Sequence, residues 1–92
     1  MDRGGGEEMT IDNQPGRHEA FLLTLQANTE RARDKHPHLA DDDFHLISLM
    51  TEELGEAAQA FNDKDKEKGE RELYDLAVLI QRRLEGDMEA GK

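Results

Sequence analysis

Four acidic residues in this chain are spaced to form a shared site. Glu53 and Glu56 stand three residues apart in the motif EELGE, and Glu72 and Asp75 stand three residues apart in ELYD. Both motifs lie in segments with helical apolar spacing, so each pair shares one helix face. No Lys or Arg is interleaved within either pair, and facing carboxylates repel strongly in a groove of low dielectric constant. A hard divalent cation relieves that repulsion, so the pattern predicts a magnesium site.

The two pairs also stand at matching distances from a polar break. The break is NDKDK at residues 62–66, and the midpoints of the two pairs straddle residue 64. If the flanking helices fold back antiparallel, each pair lies roughly 14 Å from the turn along its helix. The sequence therefore predicts that the two pairs meet at one height.

The same residues carry a resemblance to a known family. The pattern E-E-x-x-E, a gap of 15 residues and then E-x-x-D resembles the signature of the MazG-like all-α nucleoside triphosphate pyrophosphohydrolases. The match covers Leu46 to Leu84, and KHPH at 35–38 followed by DDD at 41–43 is also similar to small members of the group. The resemblance implies Mg²⁺-dependent cleavage of an NTP or dNTP to the monophosphate and pyrophosphate, with a role in nucleotide-pool house-cleaning.

The resemblance also implies a role for each acid. Glu53, Glu56, Glu72 and Asp75 would bind the metal, for which Mn²⁺ is a substitute, and Glu52 would be the general base. Glu52 lies about 100° around the helix from Glu53, beside the metal rather than on it. That position suits a group that takes a proton from water.

Basic residues and histidines give weaker signals. Lys64 and Lys68 at the hairpin, and Arg82 on the stripe of Asp75, are candidates for contacts to substrate phosphates. The alternative is a solvated loop and a basic helix end that complements the helix dipole. His36, His38 and His45 are scattered and the chain has no cysteine, so the pattern does not favour a zinc site. His36 and His38 are instead candidates to stack on a nucleotide base.

The elements that must position the site are helices, so the predicted fold class is all-α. We expect an antiparallel helical hairpin with an additional N-terminal helix, assembled into an oligomeric helix bundle. One stripe of the second helix begins as Leu46 and Leu49 and continues as Glu53 and Glu56, which places carboxylates at the mouth of the interior. The predicted helices are Arg17–Lys35, Asp41–Asn62 with the acidic group at its start, and Lys66–Glu85 with Asp63 or Asp65 as cap and Gly86 as stop.

Composition bounds the rest. Ninety-two residues, 35% hydrophobic and 37% charged, leave little apolar material for a private core, so we expect a homo-oligomer, either a dimer or a tetramer. The net charge of −10 argues against a duplex nucleic acid or an anionic membrane as partner. No segment indicates a signal peptide or a membrane span, so a cytoplasmic protein is the expectation. The predicted organisation is a flexible arm or lid at 1–16, a helical domain at 17–86 and a tail at 87–92.

Two other functions stay open at this stage. One is a non-catalytic acidic helical interaction module, for which charge spread over the surface matters and Glu53 alone matters little. The other is a regulatory bundle that binds metal and nucleotide without turnover, for which Glu52 is dispensable.

Overall fold

The computed structural model describes residues 15–89, which form three α-helices and no strand. The all-α prediction is therefore confirmed for this part of the chain. The helices are α1 (Pro15–Lys35), α2 (Asp43–Asn62) and α3 (Lys66–Leu84). Pro15 and Gly16, which were expected in the arm, are the first residues of α1, because proline is readily accepted in the first turn of a helix. The rest of that arm, with its proposed lid role, and residues 90–92 of the tail lie outside the described residues.

Aspartates start both helices of the hairpin. The Asp42 side chain accepts a hydrogen bond from the backbone N–H of His45 at 2.8 Å, and Asp65 accepts one from Lys68 at 3.1 Å. Each bond satisfies an amide that has no partner within its helix. Of the two predicted caps of α3, Asp65 is therefore the one used.

The two hairpin helices end in the same way. The residue after each C-cap is left-handed, Lys64 with φ 62° and Gly86 with φ 97°. Gly86 confirms the predicted stop, whereas a lysine at such a position is uncommon. Each end closes with the long backbone hydrogen bond of a Schellman motif, from Asp65 to Ala60 and from Asp87 to Arg82, both at 2.9 Å.

The helices α2 and α3 pack against each other as an antiparallel hairpin. Near the turn, the Phe61 ring lies so close to Gly69 that a Cβ there would come within 2.6 Å of it. At the open end, Arg83 Nε donates to Asp43 at 3.0 Å. The first helix contacts α3 and not α2. The structure therefore consists of a close hairpin with α1 alongside one of its helices.

A small core closes the open end of the hairpin. Leu39 and Ala40, in the segment expected only as a connecting loop, are buried together with Leu46. Met88, from the segment predicted as a polar tail, packs against this group. Apolar residues in the α1–α2 connection and after α3 thus add to a core that the helices alone would leave open.

Much of the remaining apolar surface is exposed. Ile47, Leu54 and Phe61 of α2 are each more than 40% accessible, as are several residues of an apolar stripe along α3. None of the described helices is long and apolar enough to cross a membrane. The exposed members of the α3 stripe are Leu73, Ile80 and Leu84.

Candidate acidic site

Three of the predicted metal ligands come together between α2 and α3. One carboxylate oxygen from each of Glu53, Glu56 and Glu72 lies within 4.8 Å of the other two. The antiparallel hairpin produces this meeting because the two motifs stand at similar distances from its turn. We call these three residues the acidic cluster. Asp75 lies outside the cluster but beside it, since its charge acts on Glu53, and Glu52 is exposed.

Glu53 is the innermost residue of the cluster. Its Oε1 atom is buried and has no hydrogen-bond partner among the described residues. Its pKa is raised to about 7, chiefly by desolvation, then by a hydrogen bond with Glu72 and by the negative charges of Asp75, Glu56 and Glu72. A partly desolvated carboxyl that has one buried oxygen without a partner and lies among other carboxyls is destabilising unless it is protonated or meets a cation.

The pKa values of two neighbouring acids, Glu56 and Asp75, are also raised. The pKa of Glu56 is raised, first by the charge of Glu72 and then by desolvation, while Lys68 opposes the rise. The pKa of Asp75 is also raised, first by desolvation of its carboxyl and then by Glu72, although the residue as a whole is exposed. The charge of Arg71 lowers it in part. The acids of both helices therefore interact as one electrostatic unit.

Two adjoining clefts meet at Asp75. The first, of about 720 Å³, lies between α1 and α3 and is lined by polar residues of both helices together with Glu72. The second, of about 550 Å³, reaches Glu53 and has apolar walls that include Leu49 and Leu79. Four residues line both clefts, namely Asn28, Ala32, His36 and Asp75.

The three histidines all line the second cleft. Two of them are tied to Asp41, whose carboxylate lies 2.9 Å from His38 Nε2 and whose backbone N–H donates to His45 Nδ1 at 3.0 Å. The pair with His38 lowers the pKa of Asp41. Across residues 15–89, the acidic cluster alone has three potential ligand atoms mutually close enough for a metal, so the histidines form no such group.

The predicted phosphate-binding residues have different surroundings. Arg82 is only 3% accessible, and its guanidinium donates to Asp87 at 2.7 Å and to the carbonyl oxygens of His36 and Pro37 at 2.8 and 3.3 Å. It therefore holds the connection between α1 and α2 against the end of α3. Lys64 lies in the exposed turn, whereas the charge of Lys68 reaches Glu56.

Sequence reasoning missed three cations beside the site. Arg31, Lys35 and Arg71 line the first cleft, and none of them is among the phosphate-binding candidates named from the sequence. The signal available was the i, i+4 spacing of Arg31 and Lys35 on one face of α1. That spacing shows a shared face but not which helix the face meets.

Comparison of the chain with family models, with curated proteins and with solved structures finds no match in any of the three.

Proposed function

We propose that this chain is a Mg²⁺-dependent nucleoside triphosphate pyrophosphohydrolase that releases a nucleoside monophosphate and pyrophosphate. The observation that carries the proposal is the acidic cluster, in which one carboxylate oxygen from each residue lies within 4.8 Å of the other two and Glu53 has a buried, unpartnered Oε1. The resemblance of the two acidic motifs to MazG-like enzymes supports the same reaction class.

The donor set suits a hard divalent cation. Carboxylate oxygens are the protein ligands that Mg²⁺ and Mn²⁺ favour, and they come here from two packed helices rather than from loops. Glu53, Glu56 and Glu72 would hold the ion, with Asp75 at the edge of the cluster. When bound, the ion offsets the negative charge of the phosphates and makes water easier to deprotonate.

The chain's own residues supply the other requirements of the reaction. Glu52 is exposed on the turn of α2 that carries Glu53, so its carboxylate is free to accept a proton from a water beside the cluster. Glu53 and Glu72 are only partly accessible, so this part of the cluster is screened from water, which strengthens electrostatic interactions within it. Next to it, the apolar walls of the second cleft offer a surface for the nucleoside.

A second copy of the chain is part of this proposal. On α2 the residues Ile47, Leu54 and Phe61 recur every seven positions, and on α3 Leu73 and Ile80 do so. Such spacing is typical of helices that pack against partner helices in a bundle. All five side chains are more than 40% accessible in the single chain. Their exposure supports a homodimer, or a tetramer, built on the outer face of the hairpin.

The test is pyrophosphate release from a panel of canonical and modified nucleoside triphosphates, with Mg²⁺ and with a chelator. The variant Glu53→Gln keeps the shape of the side chain but removes its charge, so we expect turnover to fall by about 100-fold or more. Glu19→Gln, an exposed acid of α1 outside both clefts, is the matched control and should retain native turnover.

Metal-dependent release that Glu53→Gln abolishes would establish the reaction class and reveal the preferred nucleotide. Absence of release from every triphosphate, with the helical content intact, would contradict it. Mg²⁺ and nucleotide binding without release would then favour the regulatory alternative. Absence of both binding and release would favour an acidic interaction module.

A further inference from the structure

The first cleft has walls of opposite charge. From α1, Arg31 and Lys35 line one wall, and four acids of α3 line the other, namely Glu67, Glu70, Glu72 and Asp75. Arg71 adds a third cation on the α3 side, where its charge lowers the pKa of Asp75. The chain has 22 acids and 12 basic residues, yet no acid of α1 lines this cleft. The α1 wall is therefore a local reversal of the overall charge, opposite the acidic wall of α3.

The cations do not neutralise the facing acids by direct contact. Among residues 15–89, neither Arg31 nor Lys35 nor Arg71 has a carboxylate within 4.0 Å. Arg31 instead donates to the side-chain oxygen of Asn28 on its own helix. The acids and bases therefore face each other across open space.

Another arginine of α1 does form ion pairs with acids at the end of α3. Arg33 donates to Asp87 at 3.0 Å and to Glu85 at 2.9 Å, bridging α1 to the end of α3. Ion pairs between these two helices thus form where the spacing allows. Arg31 and Lys35 therefore lack such ion pairs with α3 because α1 and α3 stand apart at this cleft, and not because the two helices are too far apart along their whole length.

A ligand that fills this gap must be anionic toward α1 and must tolerate carboxylates on its α3 side. A polyphosphate accompanied by a divalent cation meets both conditions, since its oxygens accept from Arg and Lys while the cation faces carboxylates. A simple carboxylate or a single phosphate without a cation would be repelled by Glu72 and Asp75 at short range.

We propose that Arg31, Lys35 and Arg71 bind the polyphosphate chain of the substrate in the cleft between α1 and α3. The proposal rests on the function proposed above and specifies its substrate side: the phosphates lie along α1, in the first cleft, and the nucleoside is left to the second. It also gives α1 a role in binding. The three proposed residues differ from Lys64, Lys68 and Arg82, which were the phosphate-binding candidates from the sequence.

Binding of inorganic tripolyphosphate in the presence of Mg²⁺, measured by titration calorimetry, tests this assignment without requiring turnover. Two double variants remove the same charge. Arg31→Gln/Lys35→Gln removes two cations of the cleft, whereas Arg17→Gln/Lys66→Gln removes one Arg and one Lys that line neither the first nor the second cleft. All four residues are exposed, so folding should be unaffected, as circular dichroism will check.

We expect the cleft variant to weaken binding by at least about tenfold, since charge-assisted hydrogen bonds are lost. The control variant should weaken it by about twofold, through long-range charge alone. Arg71→Gln should give a smaller loss than the cleft pair.

Equal weakening by the two double variants would overturn the assignment, as would native protein that does not bind tripolyphosphate. If native protein binds as predicted but releases no pyrophosphate from any nucleotide, the hydrolase proposal fails while the polyphosphate site stands. If turnover is normal and the cleft variant leaves KM unchanged, the hydrolase proposal stands and the polyphosphate site fails.

Discussion

Charged side chains are paired at one end of α3 and unpaired nearer its middle. At its C-terminal end, the buried Arg82 pairs with Asp87 and two backbone carbonyls, and Asp87 also accepts from Arg33. Nearly three turns earlier, the acidic cluster brings Glu53 and Glu72 together, and within residues 15–89 no Lys or Arg forms an ion pair with either. One helix therefore carries a fully paired network and an unpaired one.

The contrast shows what each network does in the folded chain. The paired network joins α1, the α1–α2 connection and the end of α3, so it contributes to folding. The acidic cluster costs stability in the absence of a cation, because like charges are held together and partly desolvated. A cluster of unpaired charges that opposes folding, in a structure whose other buried charges are paired, is characteristic of a binding site.

The largest effect should come from breaking the paired network. Arg82→Gln removes a buried charge and leaves two carbonyl oxygens and Asp87 with fewer donors. We expect it to lower the free energy of unfolding by about 3 kcal/mol. Urea denaturation followed by circular dichroism measures this.

The neighbouring arginine is the matched control. Arg83 pairs with Asp43 at 3.0 Å, but both side chains are more than a third accessible. Arg83→Gln should therefore cost less than about 1 kcal/mol. Equal losses for the two variants would show that burial of Arg82 adds nothing to the network.

A smaller effect should appear when pH is varied without divalent cations. The pKa of Glu53 is raised from 4.5 to about 7, so the folded state holds the proton more tightly than the unfolded chain. The associated stability is fully present below pH 4.5 and is lost as pH rises through about 7. Because the site is partly open to solvent, we expect a loss of about 1–2 kcal/mol, less than the full linkage value.

The paired region should respond in the opposite direction. The pKa of Asp87 is lowered, first by its hydrogen bond from Arg33, so its stabilising contribution is lost as pH falls through its ordinary value of 3.8 and below. Thermal denaturation between pH 3 and pH 8 separates the two regions. Glu53→Gln should flatten the loss of stability above pH 4.5 and leave the loss at acid pH, which comes from Asp87, unchanged. A loss above pH 4.5 as large as in the native chain would contradict the role given to Glu53.

The smallest effect concerns the two ends of the hairpin helices. Both end in a Schellman motif, but Lys64 is left-handed where α3 has Gly86. Lys64→Gly should raise the free energy of unfolding by about 0.5–1 kcal/mol, because glycine adopts this conformation without a steric cost. Lys66→Gly, at the first residue of α3, should lower it instead. A loss of stability in Lys64→Gly would show that the lysine side chain has a role in the turn.

Local signals predicted the helices well. Asp42, Asp65 and Gly86 act through side chains or backbone angles that involve only the next few residues, so their identity alone indicates the helix ends. The periodicity of α2 likewise predicted that Glu53 follows Leu46 and Leu49 toward the interior, because one helix face is fixed by a spacing of three or four.

The position of α1 could not be predicted in this way. Thr29 is 1% accessible and donates to Gln81 at 3.0 Å, a contact between residues 52 positions apart. An amphipathic pattern gives the buried face of α1 but not the helix that covers it. For the same reason the sequence placed Arg82 on the stripe of Asp75 but not beside Asp87, and it did not indicate that Arg31 borders the first cleft.

The most direct test of the metal site is anomalous diffraction from a crystal of the native chain grown with Mn²⁺. The account predicts one peak in the acidic cluster, within about 2–2.3 Å of oxygens from Glu53, Glu56 and Glu72. The same experiment on Glu53→Gln should show that peak weakened or lost. Full occupancy elsewhere, for example at His38 and Asp41, with no density in the cluster would contradict the central claim.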